Sequence, residues 1–326
     1  MEGRDEVDQK ELMQKAFDTA DLISGGGDLN PEQSEKFITY LQDLSVMTKD
    51  ARVIPMKAKK RDINKIGIGA RASVPAAEGT DPAIRKEPTV SKTTLDCVEI
   101  MTPFEITYDV FEDNIEGENL ENSIIKLFAT QVAMDHEELY ILGDTAHPTD
   151  TFLQLFDGWR KVAKTLGHLY EHAAGAISAA VLSKLYGLLP QKYLRNYADL
   201  RFYCSPKFEQ GYKDILSQRS TAAGDRFALE DVPASYNGIP IVRVPIIPSN
   251  LEETIGGTPY TDLTFVFLTL KQNLLVGIHR QMTLEKDKNI FARMRQYAFT
   301  SRIHCAFEEP DAVCIAEQIS VGAVAS

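Results

Sequence analysis

The residues whose types and spacing best suit chemistry form the segment His168-Leu169-Tyr170-Glu171-His172. It matches the HxxEH pattern of zinc peptidases, in which two histidines bind zinc and the glutamate serves as a base. On a helix, this spacing places both histidines on one face. Gly167 before the motif and Ala173-Ala174-Gly175 after it weaken such a helix, and no third ligand stands out elsewhere in the chain. A zinc hydrolase is therefore kept only as a less favoured alternative.

Other catalytic patterns are absent or incomplete. His136-Glu137 lacks the second histidine of HExxH, because Tyr140 occupies that position, and we interpret both residues as part of the polar face of a long helix. The glycines of Gly67–Ala72 are not followed by the helix that would cradle a dinucleotide phosphate. We find no GxSxG elbow and no P-loop. The sequence therefore predicts no catalytic residue, no metal site and no cofactor.

Composition limits the remaining function classes. The chain has 326 residues, 44% of them hydrophobic and 25% charged, and a net charge of −12. This is an ordinary soluble composition, and the negative charge opposes tight nonspecific binding to nucleic acid. No apolar run approaches the length of a membrane span, and the start lacks the apolar stretch of a signal peptide. The four dispersed cysteines predict buried, reduced thiols, so we expect a protein made and kept in a cytoplasm.

One long helix is the element around which the chain is organised. Glu118–Leu142 contains no Gly or Pro, and its apolar residues recur three or four apart: Leu120, Ile124, Leu127, Phe128, Leu139 and Leu142. This spacing predicts a stripe facing a core. Gly143 follows directly, where a left-handed cap would end the helix. At 25 residues the helix would be a rod of roughly 38 Å.

An N-terminal arm is predicted before the first strands. Residues 1–48 suggest two helices joined by Ser24-Gly25-Gly26-Gly27, and Asn30-Pro31 is a strong start signal for the second. The apolar edge of that second helix consists of Phe37, Ile38, Leu41 and Leu44. The glycine-rich joint and the acidic balance indicate an arm packed on another surface rather than a domain with its own core.

A long, protruding β-hairpin is predicted between the arm and the long helix. Its strand candidates are Arg52–Met56, Ile63–Ile68, Thr89–Met101 and Phe104–Val110, with Gly and Pro between them. Basic residues dominate 52–92, whereas 93–125 contain no Lys or Arg. A basic projection beside an acidic segment favours contacts between copies of the chain, although solvated charged faces explain the pattern as well. The basic interface candidates are Lys57, Lys59, Lys60, Arg61, Arg71, Arg85 and Lys86, and the acidic acceptor candidates near the long helix are Glu112, Asp113, Glu116, Glu118 and Glu121.

The second half of the chain alternates helices and strands and then returns to β-structure. A polar, turn-rich stretch at 144–175 precedes helices at Ser178–Leu189 and from Ser205-Pro206 to Leu216. The strand candidates are Leu200–Tyr203, Ile239–Val244, Leu263–Leu270, Leu274–Ile278, Met282–Asp287, Arg295–Phe307 and Ala312–Gln318. We predict a compact α/β unit at about 155–270, and we expect the later strands to pack on the long helix.

This order of elements resembles the major capsid proteins of tailed bacteriophages, with the Hong-Kong-97-like fold. The similar segments are FEITYDVFEDNIEGENLENSIIKLFATQVAMDHEELYILGD, SAAVLSKLYGLLPQKYLRNYADLRFYCSPKF, YNGIPIVRVPIIP and NLLVGIHRQMTLEKD. The likeness covers about residues 50–318. It implies an α+β fold with four parts: an N-terminal helical arm (1–50), an extended loop (51–95), a peripheral domain (96–154 and 271–326, with spine helix 118–142) and an axial domain (155–270).

The resemblance implies a structural function. Copies would form pentamers and hexamers of an icosahedral shell around double-stranded DNA, with the extended loop over a neighbour's peripheral domain. The shell would belong to the virion, be assembled in the host cytoplasm, and use a separate scaffolding protein and a portal. No position matches the Lys–Asn pair that cross-links some family members, so no covalent chemistry is expected. An encapsulin-like compartment shell holding a protein cargo is the alternative on the same fold.

Overall fold

A computed structural model describes residues 45–67, 73, 87, 89–108, 118–218 and 233–324 of the chain. Its helices are α1 (Val46–Asp50), α2 (Glu118–Leu142), α3 (Trp159–Leu166), α4 (Ala179–Leu188) and α5 (Pro206–Ser217). Its strands are β1 (Arg52–Pro55), β2 (Lys60–Gly67), β3 (Thr89–Asp96), β4 (Val98–Thr107), β5 (His168–Ile177), β6 (Leu200–Cys204), β7 (Ser235–Tyr236), β8 (Ile239–Arg243), β9 (Leu251–Ile255), β10 (Thr258–Leu270), β11 (Leu274–Asn289), β12 (Met294–Phe307) and β13 (Val313–Val324). All but the last residues of the predicted N-terminal arm lie outside the described ranges.

The long helix has the predicted bounds and packs on a four-stranded sheet. The sheet order is β1-β11-β12-β4, so strands that precede residue 155 and strands that follow residue 270 both contribute to it. Ile125, Ala129 and Val132 of α2 are buried against Phe104 and Phe299 of the sheet. The ring of Phe104 also stacks on Phe128 with 4.0 Å between the centroids. The prediction that the helix and distant strands bury each other is confirmed for β11 and β12.

One residue of the apolar stripe predicted on α2 does not face the core. Leu127 is 71% exposed, whereas Ile125 and Ala129 lie in the core. Leu127 shares the i, i+3 and i+4 spacing that places residues on the same helical face, but the sheet covers a stripe centred about 100° away. Apolar spacing alone does not say which of two neighbouring stripes is buried.

Gly143 ends the helix for a different reason from the one predicted. Its backbone is not left-handed, and its N–H donates to the carbonyl oxygen of Leu139 at 3.0 Å. A Cβ atom at this position would lie 2.5 Å from the carbonyl oxygen of Phe156 and 2.6 Å from that of Leu139. Glycine is needed because the two backbone segments touch.

The second sheet has seven strands, with β10 near its centre. The order is β5-β13-β10-β6-β8-β7, and β9 pairs with β10. Phe265 and Phe267 of β10 join the core that contains Trp159, whereas Val266 and Leu268 join the core beneath α4 and α5. A strand buried on both faces is apolar at most positions, which explains the LTFVFLTL run, whose only polar residues are Thr264 and Thr269.

The last strand belongs to this second sheet, contrary to the prediction that Ala312–Gln318 packs on the long helix. Val313–Val324 lies between β10 and β5 and is parallel to β5. Its parallel partner, His168–Ile177, falls in the stretch that the sequence predicted as turn-rich. Because strand pairing joins residues about 145 positions apart, no local pattern could reveal it.

Candidate functional site

The base of the predicted β-hairpin forms a separate two-stranded sheet. Lys60–Gly67 and Thr89–Asp96 are antiparallel, with Lys60 opposite Asp96 and Ile66 opposite Val90. Successive side chains of a strand point to opposite faces. The hairpin therefore has one face towards its own subunit and one face towards solvent.

The inner face of the hairpin is held by apolar packing and by charge. Leu95 is fully buried beside Met56 and Cys97, and Ile63 packs against the same cluster. Lys65 forms an ion pair with Glu309, and the Thr93 hydroxyl donates to the carbonyl oxygen of Glu308 at 3.2 Å. These contacts attach the hairpin base to the turn between β12 and β13.

The outer face carries an exposed apolar pair beyond an ion pair. Ile66 is 72% exposed and Val90 is 63% exposed. Nearer the base, the Lys92 ammonium lies 2.6 Å from the Asp62 carboxylate. The hydrogen bond from Lys92 lowers the pKa of Asp62, and the one from Thr94 adds to this effect. Two apolar side chains directly opposite each other in solvent indicate a contact surface.

Four of the predicted interface cations are exposed on this limb: Lys57, Lys59, Lys60 and Arg61. Arg61 donates to the carbonyl oxygen of Pro55 at 2.9 Å. No carboxylate among the described residues forms an ion pair with any of the four. Arg71, Arg85 and Lys86 lie outside the described residues. The positive charge at the hairpin base is therefore open to an external anion or acidic surface.

Of the predicted acidic acceptors, Glu121 is engaged within its own chain. Its carboxylate lies 3.0 Å from Lys286 and 2.6 Å from Arg295. Burial acts to raise the pKa of Glu121, but the hydrogen bonds from Lys286 and Tyr297 outweigh it, and the pKa is lowered. Glu121 therefore braces the β11–β12 hairpin against the start of α2. Glu112, Asp113 and Glu116, and the side chain of Glu118, lie outside the described residues.

The HxxEH segment forms a strand. The helix that a zinc-binding role would need is therefore not present there. His168 contacts Asp311 at 3.1 Å, and His172 contacts the Tyr170 hydroxyl at 3.1 Å and the carbonyl oxygen of Ala176 at 3.0 Å. In a strand, Glu171 points to the face opposite the two histidines. Among the described residues, no group of three His, Cys, Asp or Glu could hold a metal ion.

His136 and Glu137 are buried, contrary to their predicted place on the polar face of α2. Glu137 Oε1 accepts a hydrogen bond from the backbone N–H of Met47 at 2.6 Å, and the N–H groups of Val46 and Thr48 also point to this carboxylate. Burial raises the pKa of Glu137 although these hydrogen bonds oppose it. Sequence reasoning missed this role. The apolar Ala133 and Ile141 and the aromatic Tyr140 nearby were the only local signal.

No described helix combines the length and the apolarity that crossing a membrane requires.

Comparisons with known proteins agree with this architecture. No protein-family model matches the chain. Over 310 residues the chain is 36% identical to YqbE of Bacillus subtilis (strain 168), described as a prophage capsid protein, and the match covers 93% of this chain and 96% of YqbE.

Solved phage and particle capsids have a similar fold. The chain matches a subunit of the satellite phage P4 procapsid with its size determination (Sid) protein at 16% identity and a TM-score of 0.56, covering 88% of this chain and 99% of that one. It matches the capsid of the native GTA particle at 15% identity and a TM-score of 0.61, covering 85% of this chain and 91% of that one. It matches a structure from Mycobacterium phage Cain at 12% identity and a TM-score of 0.57, covering 83% of this chain and 89% of that one. From the relationship to YqbE and this shared fold, the chain belongs to the phage capsid proteins and is a major capsid protein of the Hong-Kong-97-like fold.

Proposed function

We propose that copies of this chain form the pentamers and hexamers of an icosahedral shell that encloses double-stranded DNA. In this proposal the chain has no catalytic role. Assembly takes place in the host cytoplasm, with a separate scaffolding protein and a portal as partners. The shell holds DNA without reading its sequence, which is compatible with a chain whose net charge is −12.

The observation that supports this proposal most is the two-faced hairpin. Its inner face is fixed by Leu95 and by the Lys65–Glu309 ion pair, so the limb has a defined direction. Its outer face presents Ile66 and Val90 to solvent, and exposed cations surround its base. A rigid limb with an uncovered apolar pair fits a surface on a second copy of the chain.

Charge supplies the second part of the contact. The exposed Lys57, Lys59, Lys60 and Arg61 of one copy meet the acidic approach to the long helix of its neighbour, at Glu112, Asp113, Glu116 and Glu118. We leave Glu121 out of this acceptor because Lys286 and Arg295 of its own chain already neutralise it. Complementary charges of this kind guide encounter and fix register.

Charge reversal tests the role of the hairpin. The triple variant Lys59→Glu, Lys60→Glu and Arg61→Glu is expected to fold normally by circular dichroism but to yield few particles by sedimentation and negative-stain microscopy. A matched control reverses three exposed lysines outside the hairpin, Lys164, Lys184 and Lys207, and should assemble. Normal particles from the hairpin variant would contradict the proposed contact.

The contents of the particle distinguish the phage shell from an encapsulin-like compartment. Nuclease-protected double-stranded DNA in particles from phage-producing cells supports the first function. A co-purifying enzyme in place of DNA would favour the second.

A further inference from the structure

The starting point of the described chain is fixed on the long helix. Helix α1 is only five residues long, and the buried Glu137 carboxylate binds the N–H groups at its beginning. Met47 of this short helix is buried in the main core. Ser45 before it is extended, with φ −93° and ψ 144°. Ser45, the first residue that the structure describes, therefore lies next to a helix that is fixed on α2.

A cavity opens at this point, between α2 and the four-stranded sheet. Its apolar lining consists of Val53, Ala133, Val276, Ile278, Met282 and Ile303. Ser45 itself is part of the wall, and Arg280 lies at the same cavity. The cavity is thus bounded by the first described residue of the chain.

Thr48 is a polar residue in the wall of this cavity. The Thr48 hydroxyl is buried and makes no hydrogen bond to any described residue. In contrast, the neighbouring His136 ring contacts the Ser301 hydroxyl at 3.3 Å. A buried hydroxyl without a partner costs free energy unless a ligand or another segment satisfies it.

The residues that directly precede Ser45 have the chemistry to fill this cavity. The predicted helix from Asn30 onwards has an apolar edge formed by Phe37, Ile38, Leu41 and Leu44. Leu44 is adjacent to Ser45, and even a fully extended chain keeps Leu41 within about 14 Å of it. A tethered segment this short has a high effective concentration at the cavity.

We propose that residues 37–44 pack over this cavity in the same subunit, with Leu41 and Leu44 against its apolar wall. The arm is thereby attached along the long helix, and only the residues before 37 remain available to other molecules. This inference does not depend on the contact made by the hairpin, because it involves a different face of the subunit.

Cross-linking tests this position directly. The double variant Leu41→Cys and Arg280→Cys is treated with a short bismaleimide, and the control combines Leu41→Cys with Gln131→Cys on the exposed side of α2. The four native cysteines are buried, and burial raises the pKa of the Cys97 thiol to about 11, so they react slowly. We expect an intramolecular cross-link in the first variant and none in the control. Cross-linked dimers would show that a second copy supplies the arm, and equal or absent cross-linking in both variants would show that the arm does not dock here.

Limited proteolysis gives a second readout on the full chain. Leu41→Asp and Leu44→Asp should each accelerate cleavage within residues 30–44 by about tenfold, since cleavage follows the population of the open form. Thr39→Asp adds the same charge on the opposite edge of the predicted helix and should leave the rate unchanged. Equal cleavage rates in all three variants and in the wild type would overturn the proposal.

Discussion

Glu137 Oε1 accepts a hydrogen bond from the backbone N–H of Met47 at 2.6 Å, joining residues 90 positions apart. The carboxylate does the work that a Ser or Asp at the N-cap usually does, because the side chain of Ser45 makes no capping hydrogen bond. The long helix thereby fixes the position of α1 in the subunit.

Removing this cap should destabilise the subunit. Glu137→Ala leaves the N–H of Met47 buried without an acceptor, which costs about 1–3 kcal/mol in the free energy of unfolding. Chemical denaturation of the unassembled subunit measures the loss. Glu138→Ala is the matched control, since no described residue forms an ion pair with the Glu138 carboxylate. Equal losses in the two variants would contradict the capping role.

The buried His136 should make stability fall in mild acid. Burial lowers the pKa of His136 to about 4, from an ordinary value of 6.5. Its contribution is therefore complete above pH 6.5 and is lost as the pH falls towards 4, amounting to about 2 kcal/mol between pH 7 and pH 5. The variant His136→Gln should flatten this slope in urea titrations at the two pH values. The raised pKa of Glu137 acts in the opposite direction, so the variant must be compared with the wild type at each pH.

A bidentate ion pair ties α3 to the last strand. The guanidinium of Arg160 donates to the two carboxylate oxygens of Glu317 at 2.7 Å and 2.6 Å, and Glu317 is buried. Arg160→Met should destabilise the subunit by about 3–5 kcal/mol, because it leaves a buried carboxylate unpaired. The double variant Arg160→Met and Glu317→Leu should recover most of that loss in thermal unfolding. A double variant no more stable than the single one would argue against the pair.

Substitution by alanine should change stability in opposite directions at two glycines. Gly143→Ala should destabilise strongly, because the new Cβ would lie 2.5 Å from a backbone oxygen. Gly187 lies within α4, and a Cβ added there would have no heavy atom of a described neighbour within 4 Å, so Gly187→Ala should stabilise by about 0.5–1 kcal/mol. Differential scanning calorimetry separates the two cases. A tolerated Gly143→Asn would instead support the left-handed cap expected from the sequence.

The exposed apolar pair on the hairpin should matter for assembly and not for folding. Ile66→Thr with Val90→Thr keeps the β-branched shape and the strand propensity, so the unfolding midpoint should not change. The subunit concentration needed for particle formation, measured by light scattering, should rise about tenfold or more if both side chains are buried against a neighbour. Met101→Thr alters another exposed apolar side chain and serves as control. Unchanged assembly in the hairpin variant would show that its outer face is not a contact.

Local sequence determined the elements whose causes lie within a few residues. The bounds of the long helix follow from its uninterrupted 25-residue pattern, and α5 begins where Ser205 accepts a hydrogen bond from the N–H of Phe208 as its cap. The hairpin strands and the apolar strand Leu263–Leu270 were also predictable, because alternation and continuous apolarity are read along the chain.

Only the tertiary structure decided which distant groups meet. In the folded chain Val313–Val324 pairs with His168–Ile177. Glu121 forms ion pairs with Lys286 and Arg295, and the buried Glu137 accepts a hydrogen bond at the start of α1. Each of these outcomes depends on partners between 90 and about 175 positions away. A strand or carboxylate looks the same in sequence whatever its partner, because pairing energy depends on proximity in space. For that reason the long helix and most strands of this capsid protein were predictable from its residues, whereas the partner of the last strand and the charges available to a neighbouring subunit were not.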